Sequence, residues 1–393
     1  MPSFRDLPRT FWILWTGALI NRLGGFVMPL LALYLTGQRG IAVEQVGVVI
    51  ALYGAGTLAA GTVGGWLADR IGRRRTLILA LVLGALAMVH LAFARAPAHI
   101  AAAAFLLGLL GDLYRPAVSA AIADLVAPEK RVAAYGVLYW AVNLGFAVGS
   151  ALGGALSRHG WWLLFFGDAA TTLAYAAVVA LFIPETRPAH LQHEERAPVW
   201  APLSDRPFVL FVLLNTLVWL LFFQSFVTLP LDVRDHGLSP ASYGALIAVN
   251  GVLITLLQPG ASRALARFHR HRVLAGAALL VGIGFASTAF VQTIPGYVAS
   301  ITVWTLGEIA MAGIAPAVVA DAAPAAQRGA YQGVFQMGIG ASALLAPMLG
   351  TLAMGRLGAT ALWMLCGGAG AIAALGHLAL GSLRSAPASG VST

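Results

Sequence analysis

The sequence predicts an all-α membrane protein of twelve transmembrane helices, laid out as two parallel pseudo-repeat bundles of six. Three observations predict it. First, the 393 residues are 59% hydrophobic and only 10% charged, with a mean hydropathy of +0.83. So few charges cannot cover a water-soluble body of this size, so the solvent is lipid. Second, crossing hydrocarbon takes about 20 apolar residues per helix. Twelve such stretches follow one another, at 11–36, 44–68, 76–94, 98–123, 132–157, 161–183, 207–231, 240–262, 273–291, 295–320, 329–354 and 359–382. Third, shifting the chain by half its length lays Gly47 on Gly244, Ala51 on Ala248, Gly54 on Gly251, Arg70 on Arg267 and Arg73 on Arg270. The same shift lays Asp124 on Asp321, Arg131 on Arg328 and Gly136 on Gly333. Agreement in the second and fifth helices of each half marks a duplicated unit. An even number of helices makes the copies parallel.

Each element has its own justification. The first stretch follows Arg5 and Arg9, is too long for the apolar core of a signal peptide and has no clear cleavage site, so it reads as a retained helix. The second and third are joined by Gly65-Trp-Leu-Ala-Asp69-Arg70-Ile-Gly72-Arg73-Arg74-Arg75. Cations this dense resist crossing a bilayer, which assigns the turn and both termini to the cytoplasm. Most of the 24 Lys and Arg fall on that side, whereas the outer loops hold Arg39, Arg95, Arg158, Arg234 and Arg356. The net charge of +9 is therefore topological, and no nucleic-acid partner is expected. Asp69 ends its helix where the macrodipole disfavours an anion by about 0.3–1 kcal/mol, which asks for a contact elsewhere. Its repeat counterpart is Ala266, so only the first half supplies it. The fifth helix carries Gly136, Gly145, Gly149, Ser150, Gly153 and Gly154, small residues that let a neighbouring backbone approach. After the sixth, the polar, proline-rich stretch divides the chain into a bundle at 1–183, a cytoplasmic linker at 184–206 and a second bundle at 207–393.

Ionisable groups far from helix ends cost about 2.5–3.5 kcal/mol each on insertion scales and are functional candidates. Arg22 in the first helix needs a buried anion, for which Asp112 and Asp168 are candidates. Asp112 and Arg115 in the fourth share a face: a local ion pair, or a proton carrier tuned by its arginine. Glu308 in the tenth stands one place from the repeat partner of Asp112, which would set two carboxylates on opposite walls of a central cavity. There it would suit a cationic or amine-bearing molecule. Asn21, Asn143, Asn215, Gln224, Asn250 and Gln336 are inter-helix hydrogen-bonding residues or cavity polar groups, and Trp219 with Phe222 and Phe223 can supply an apolar wall.

Twelve helices, parallel repeats and the 65–75 turn together resemble the major facilitator superfamily. Its signature G-x-x-x-D-R-x-G-x-R-R is matched at every specified position, by Gly65, Asp69, Arg70, Gly72, Arg74 and Arg75. The fifth-helix glycines are similar to the antiporter branch pattern G-x8-G-x3-G-P-x2-G-G, with Ser150 in place of proline. Ala104 stands where the branch often has an arginine four residues before a glycine (here Gly108). The resemblance implies that Asp69 caps the eleventh helix near Arg328 and Gly329, with Arg70, Arg73 and Asp124 completing a charge lock. Arg131 and Asp321, counterparts of Arg328 and Asp124, join the same gate.

No Walker sequence, phosphate loop or nucleophile–base constellation is present, so no enzyme activity and no cofactor are expected, and an ion gradient supplies the energy. His90, His377 and Cys366 lack companions at metal-ligand spacing, so no metal is expected. The expected function is a proton-coupled secondary transporter, an efflux antiporter exporting small hydrophobic or amphipathic compounds by alternating access. Asp112 with Arg115 is the leading proton carrier, and Glu308 is second. The expected partners are a small-molecule substrate, protons and the bilayer, for a monomer in a bacterial inner membrane. A proton-coupled importer of a polar nutrient is the first rival, favoured by a cavity rich in hydrogen-bonding groups where an apolar one favours export. A non-transporting receptor is the second.

Overall fold

The structure is a computed structural model that describes residues 6–41, 43–157, 159–188, 198, 200–238 and 240–385. Arg5, Arg158, Arg196, part of the 184–206 connection and the side chains at Ser150 and Gly154 lie outside the described residues. Among the described residues, twelve helical spans follow in chain order. The first bundle holds α1 (Arg9–Leu23, continued by Val27–Leu33), α2 (Val43–Ile71), α3 (Arg73–Phe93), α4 (Pro97–Asp112, continued by Tyr114–Leu125), α5 (Arg131–Ser157) and α6 (Trp161–Phe182). The second holds α7 (Arg206–Val227, continued by Leu229–Asp235), α8 (Pro240–Leu265), α9 (Arg270–Ser287), α10 (Ile294–Ala322), α11 (Arg328–Leu357) and α12 (Ala359–Ser385).

Among the described residues, 11 spans are long and apolar enough to cross a membrane. The exception corrects an expectation: the 11–36 stretch is two pieces, broken at Gly24 and Gly25. Gly24 lies so close to α6 that a Cβ there would fall on the Thr171 side chain. One turn back on α6, the buried Asp168 accepts the Val27 N–H that the break leaves without an intrahelical partner. α4 and α7 are interrupted at Leu113 and Thr228, each shortly before a proline that cannot donate to the preceding turn.

The halves meet along α2 against α11, and along α5 against α8 and α10. In lipid this association relies on close backbone approach at small residues. Here Gly61 and Gly65 of α2 face Gly333 and Gly329 of α11. Further from the 65–75 turn the contact reaches Leu58 against Gly340, and beyond it a Cβ added at Gly54 or Gly47 would meet nothing within 4 Å. The halves are pressed together at the 65–75 end.

Candidate functional site

At that end the misplaced carboxylate finds its partner. Asp69 Oδ1 accepts the Gly329 N–H at 2.9 Å and Oδ2 the Ala330 N–H at 2.7 Å. These are first-turn donors of α11, so an anion unfavourable at the end of α2 becomes favourable at the start of another helix. Arg73, fully buried, holds Asp69 at 3.0 Å and Asp124 at 2.8 Å. Gly72 makes the turn between them at φ +99°, a conformation that side-chain-bearing residues avoid. The Glu185 carboxylate then accepts the Arg73 N–H at 2.8 Å and the Arg74 N–H at 3.3 Å.

Ion pairs cross between the halves in a repeat-related exchange. Arg131 of the first half pairs with Asp321 of the second, and Arg328 of the second pairs with Asp124 of the first. Arg270, counterpart of Arg73, also reaches Asp321; its place in that register was the signal that would have found it. Arg328, next to the Asp69-bound Gly329, bonds Asp124. One detail of the expected lock differs: Arg70 stays outside, exposed and 4.7 Å from the Trp66 ring centroid. Arg74 donates to the Ala180 carbonyl on α6, and Arg75 is exposed.

Two cavities lie deeper in the bundle and share a wall. One, of about 310 Å³, sits between the halves. The other, of about 340 Å³, lies within the first half and is bordered by Asn21, Tyr53, Asp112, Asp168 and Thr172. Arg22, Tyr114 and Arg115 border both. The wall of the central cavity is built largely from repeat-related positions: Arg22 and Trp219, Tyr114 and Met311, Arg115 and Ala312, Ser119 and Pro316, Leu138 and Phe335, Tyr139 and Gln336. At four of these six pairs the first half is the more polar member. The cavity is therefore one-sided, with guanidinium groups on one wall and Trp219, Phe222 and Phe223 on the other.

Asp112 Oδ1 lies 2.7 Å from Arg115 Nε, while its Oδ2 is buried with no hydrogen-bond partner among the described residues. Arg22 donates to the Tyr114 hydroxyl at 2.8 Å. Among the described residues no carboxylate comes within 4 Å of it, which corrects the expectation of a buried pair. Asp112 is taken by Arg115, and Asp168 is engaged by the Val27 N–H. The fifth-helix glycines seat this arginine. Cβ atoms at Gly145 and Gly149 would come to 2.5 Å from Arg22 Cβ and 2.8 Å from its carbonyl oxygen, so α1 packs directly on the α5 backbone. Gly136 plays the same part against Ser262 of α8, and Gly153 against Phe26.

Glu308 also departs from expectation. It is 2% exposed and borders neither cavity. Its Oε1 accepts the Tyr139 O–H from α5, and its Oε2 accepts from Asn250 Nδ2 of α8 at 2.7 Å. The Tyr139 ring stands between it and the central space, so the two carboxylates do not face each other across a cavity. Gln336 and Trp219 do line that cavity. Asn143, Asn215 and Gln224 line neither: Asn143 and Asn215 donate to the carbonyls of Tyr139 and Phe211, one turn back on their own helices, and Gln224 donates both to Leu220 and across to the Ala346 carbonyl of α11. Donation one turn back is open to a side-chain amide in a helix and invisible in its spacing. Tyr114 and Tyr139 were missed as wall residues, although Tyr139 is the repeat counterpart of Gln336.

Comparison with known proteins agrees with this architecture. The sequence profile of the Major Facilitator Superfamily matches residues 14–232 and again 225–392. The chain is 26% identical over 364 residues to the MFS-type transporter YttB of Bacillus subtilis strain 168, covering 91% of each chain. It is 28% identical over 320 residues to the multidrug resistance protein MdtH of Klebsiella pneumoniae, covering 81% of this chain and 79% of that one. A bacterial homologue of the iron transporter ferroportin, solved in an outward-facing state, superimposes with a TM-score of 0.80 at 18% identity, over 95% of this chain and all (100%) of that one. With its fold, its repeat and its signature turn all of one kind, this chain belongs to the Major Facilitator Superfamily.

Proposed function

We propose that this transporter is a proton-coupled efflux antiporter that exports small hydrophobic or amphipathic compounds by alternating access. The observation that carries this reading is the pair of adjoining cavities. An aromatic, largely apolar chamber lies between the halves, where alternating access places a substrate. A second chamber behind it holds a buried carboxylate with one unpartnered oxygen. Arg22, Tyr114 and Arg115 form the wall between them, so the charge state of Asp112 is felt at the substrate wall through its arginine. The apolar lining favours export over uptake of a polar nutrient, and the multidrug name of the MdtH relative points the same way.

In this reading the arginine-rich 65–75 end faces the cytoplasm of a bacterial inner membrane. It is the closed end, and Asp69 with the exchanged arginine–aspartate pairs holds it shut. Asp112 carries the proton and Glu308 is the reserve carrier. The test is proton movement in proteoliposomes on adding a panel of aromatic anions, lipophilic cations, neutral antibiotics, sugars and amino acids. Movement with aromatic or lipophilic members and not with sugars is the expected result, and Asp112→Asn is expected to abolish it. If no compound moves protons, coupled antiport fails. If flux survives Asp112→Asn and disappears only with Glu308→Gln, the carrier is Glu308.

A further inference from the structure

Arg22 is a cation at membrane depth with no direct ion pair among the described residues. Its Nη2 has the Tyr114 hydroxyl, its Nε is buried without a hydrogen-bond partner, and no described carboxylate lies within 4 Å. A charge in such a place costs about 2.5–3.5 kcal/mol on insertion scales. Asp112 and Asp168 border the inner cavity beside it without a direct ion pair, so toward the central cavity its guanidinium has no anionic partner among the described residues. Among the described residues, none that line the central cavity is a carboxylate. Glu308, the acid nearest in the repeat to that role, is closed off by Tyr139 and Asn250. Across from Arg22, at the position its repeat counterpart occupies, stands Trp219, with Phe222 and Phe223 beside it.

Resting on the transport reading above, we infer that the compound carried is an amphipathic organic anion. Its carboxylate or sulfonate pairs with Arg22, and its aromatic body lies against the Trp219 wall. A planar guanidinium suits a two-oxygen acid group through paired charge-assisted hydrogen bonds. A volume of about 310 Å³ is at the small end for ligand pockets, which suits a body of one or two fused rings. The same wall disfavours lipophilic cations, because a cation there would meet Arg22 and Arg115 with no carboxylate to receive it.

Three probes with one aromatic body and different charge test this on the purified full-length protein in detergent: 2-naphthoate, 2-naphthamide and 2-naphthylmethylammonium. Titration calorimetry is expected to give naphthoate about tenfold tighter binding than the amide, with the ammonium weakest. The readout for variants is the naphthoate-to-amide ratio. Arg22→Gln is expected to bring it to about one, and Arg22→Lys to keep only part of it, because an ammonium supplies the charge without the paired donors; thermal unfolding checks that each variant is folded. Preference for the ammonium, equal binding of all three, no naphthoate binding, or a ratio unmoved by Arg22→Gln in a folded variant would each overturn the inference. The antiport reading fails separately. Proton movement with neutral or cationic compounds alone would remove the anion assignment and leave antiport standing. Naphthoate binding with no proton movement would do the reverse.

Discussion

The two halves of this transporter agree at the 65–75 end and disagree around the central cavity. At the 65–75 end, Arg131 and Arg328 each reach across to the other half's aspartate, so the exchange is nearly symmetric. In the central cavity, positions related by the same repeat carry Arg22 against Trp219 and Arg115 against Ala312. A duplicated fold can keep symmetric parts for a motion that both halves share. The cavity walls have diverged into a cationic and an aromatic side, as suits the binding of one small molecule in the proposed reading. The 65–75 end itself keeps one asymmetry. Asp69 caps α11, whereas the equivalent Ala266 has no oxygen to offer the start of α5.

The largest effect that separates the halves is expected at the paired arginines Arg73 and Arg270. Arg73 is wholly buried between two carboxylates, while Arg270 is 25% exposed on Asp321. Removing one member of a buried ionic cluster leaves the others unpaired, so Arg73→Met should cost about 3–5 kcal/mol. Arg270→Met should cost about 1 kcal/mol or less. Thermal unfolding in detergent measures both, and equal losses would erase the distinction between buried and peripheral copies.

Next in size is Asp69→Asn. It keeps the shape but removes the charge from two hydrogen bonds at a helix start, about 1.5–3 kcal/mol taken from the closed state. That predicts a ten- to hundredfold fall in transport turnover, with ligand affinity at the cavity changed by no more than about threefold. A loss of affinity as large as the loss of turnover would mean that gate and cavity are not separable.

The smallest effect sharpens the cavity comparison. Trp219→Ala should weaken binding of naphthoate and naphthamide alike, by about three- to tenfold, through lost aromatic contact. Because Trp219 acts on the ring and not on charge, the ratio of the two should stay within about twofold of the parent protein. A change in that ratio would assign charge recognition to both walls.

Much of this was legible before the fold was known, for reasons that differ by residue. The 65–75 turn could be recognised because a dense arginine cluster between two apolar runs has few physical solutions. Asp69 announced a remote partner because it sits at the wrong end of its own dipole. The repeat register linked Arg131 to Arg328 and Asp124 to Asp321, and the same register already contained Arg270 and Tyr139. Other features gave no signal. Asn143 and Asn215 have the polarity and depth of cavity residues, yet each donates one turn back on its own helix. The break in α1 depends on how closely Thr171 of α6 approaches Gly24, a distance no spacing encodes.

By itself the sequence determined the solvent, the number of spans, the parallel duplication and the class of machine. These follow from hydropathy, helix length and internal repetition, which are properties of the chain read along its length. Only the tertiary structure decided which charges are paired. Glu308 and Arg22 both read as ionisable residues at membrane depth, one suited to a cation and the other in need of an anion. Packing gave Glu308 two donors from neighbouring helices and left Arg22 facing a cavity. The reason is physical: a charge's role is set by what lies within about 4 Å of it, and in a helical bundle those neighbours come from distant parts of the chain.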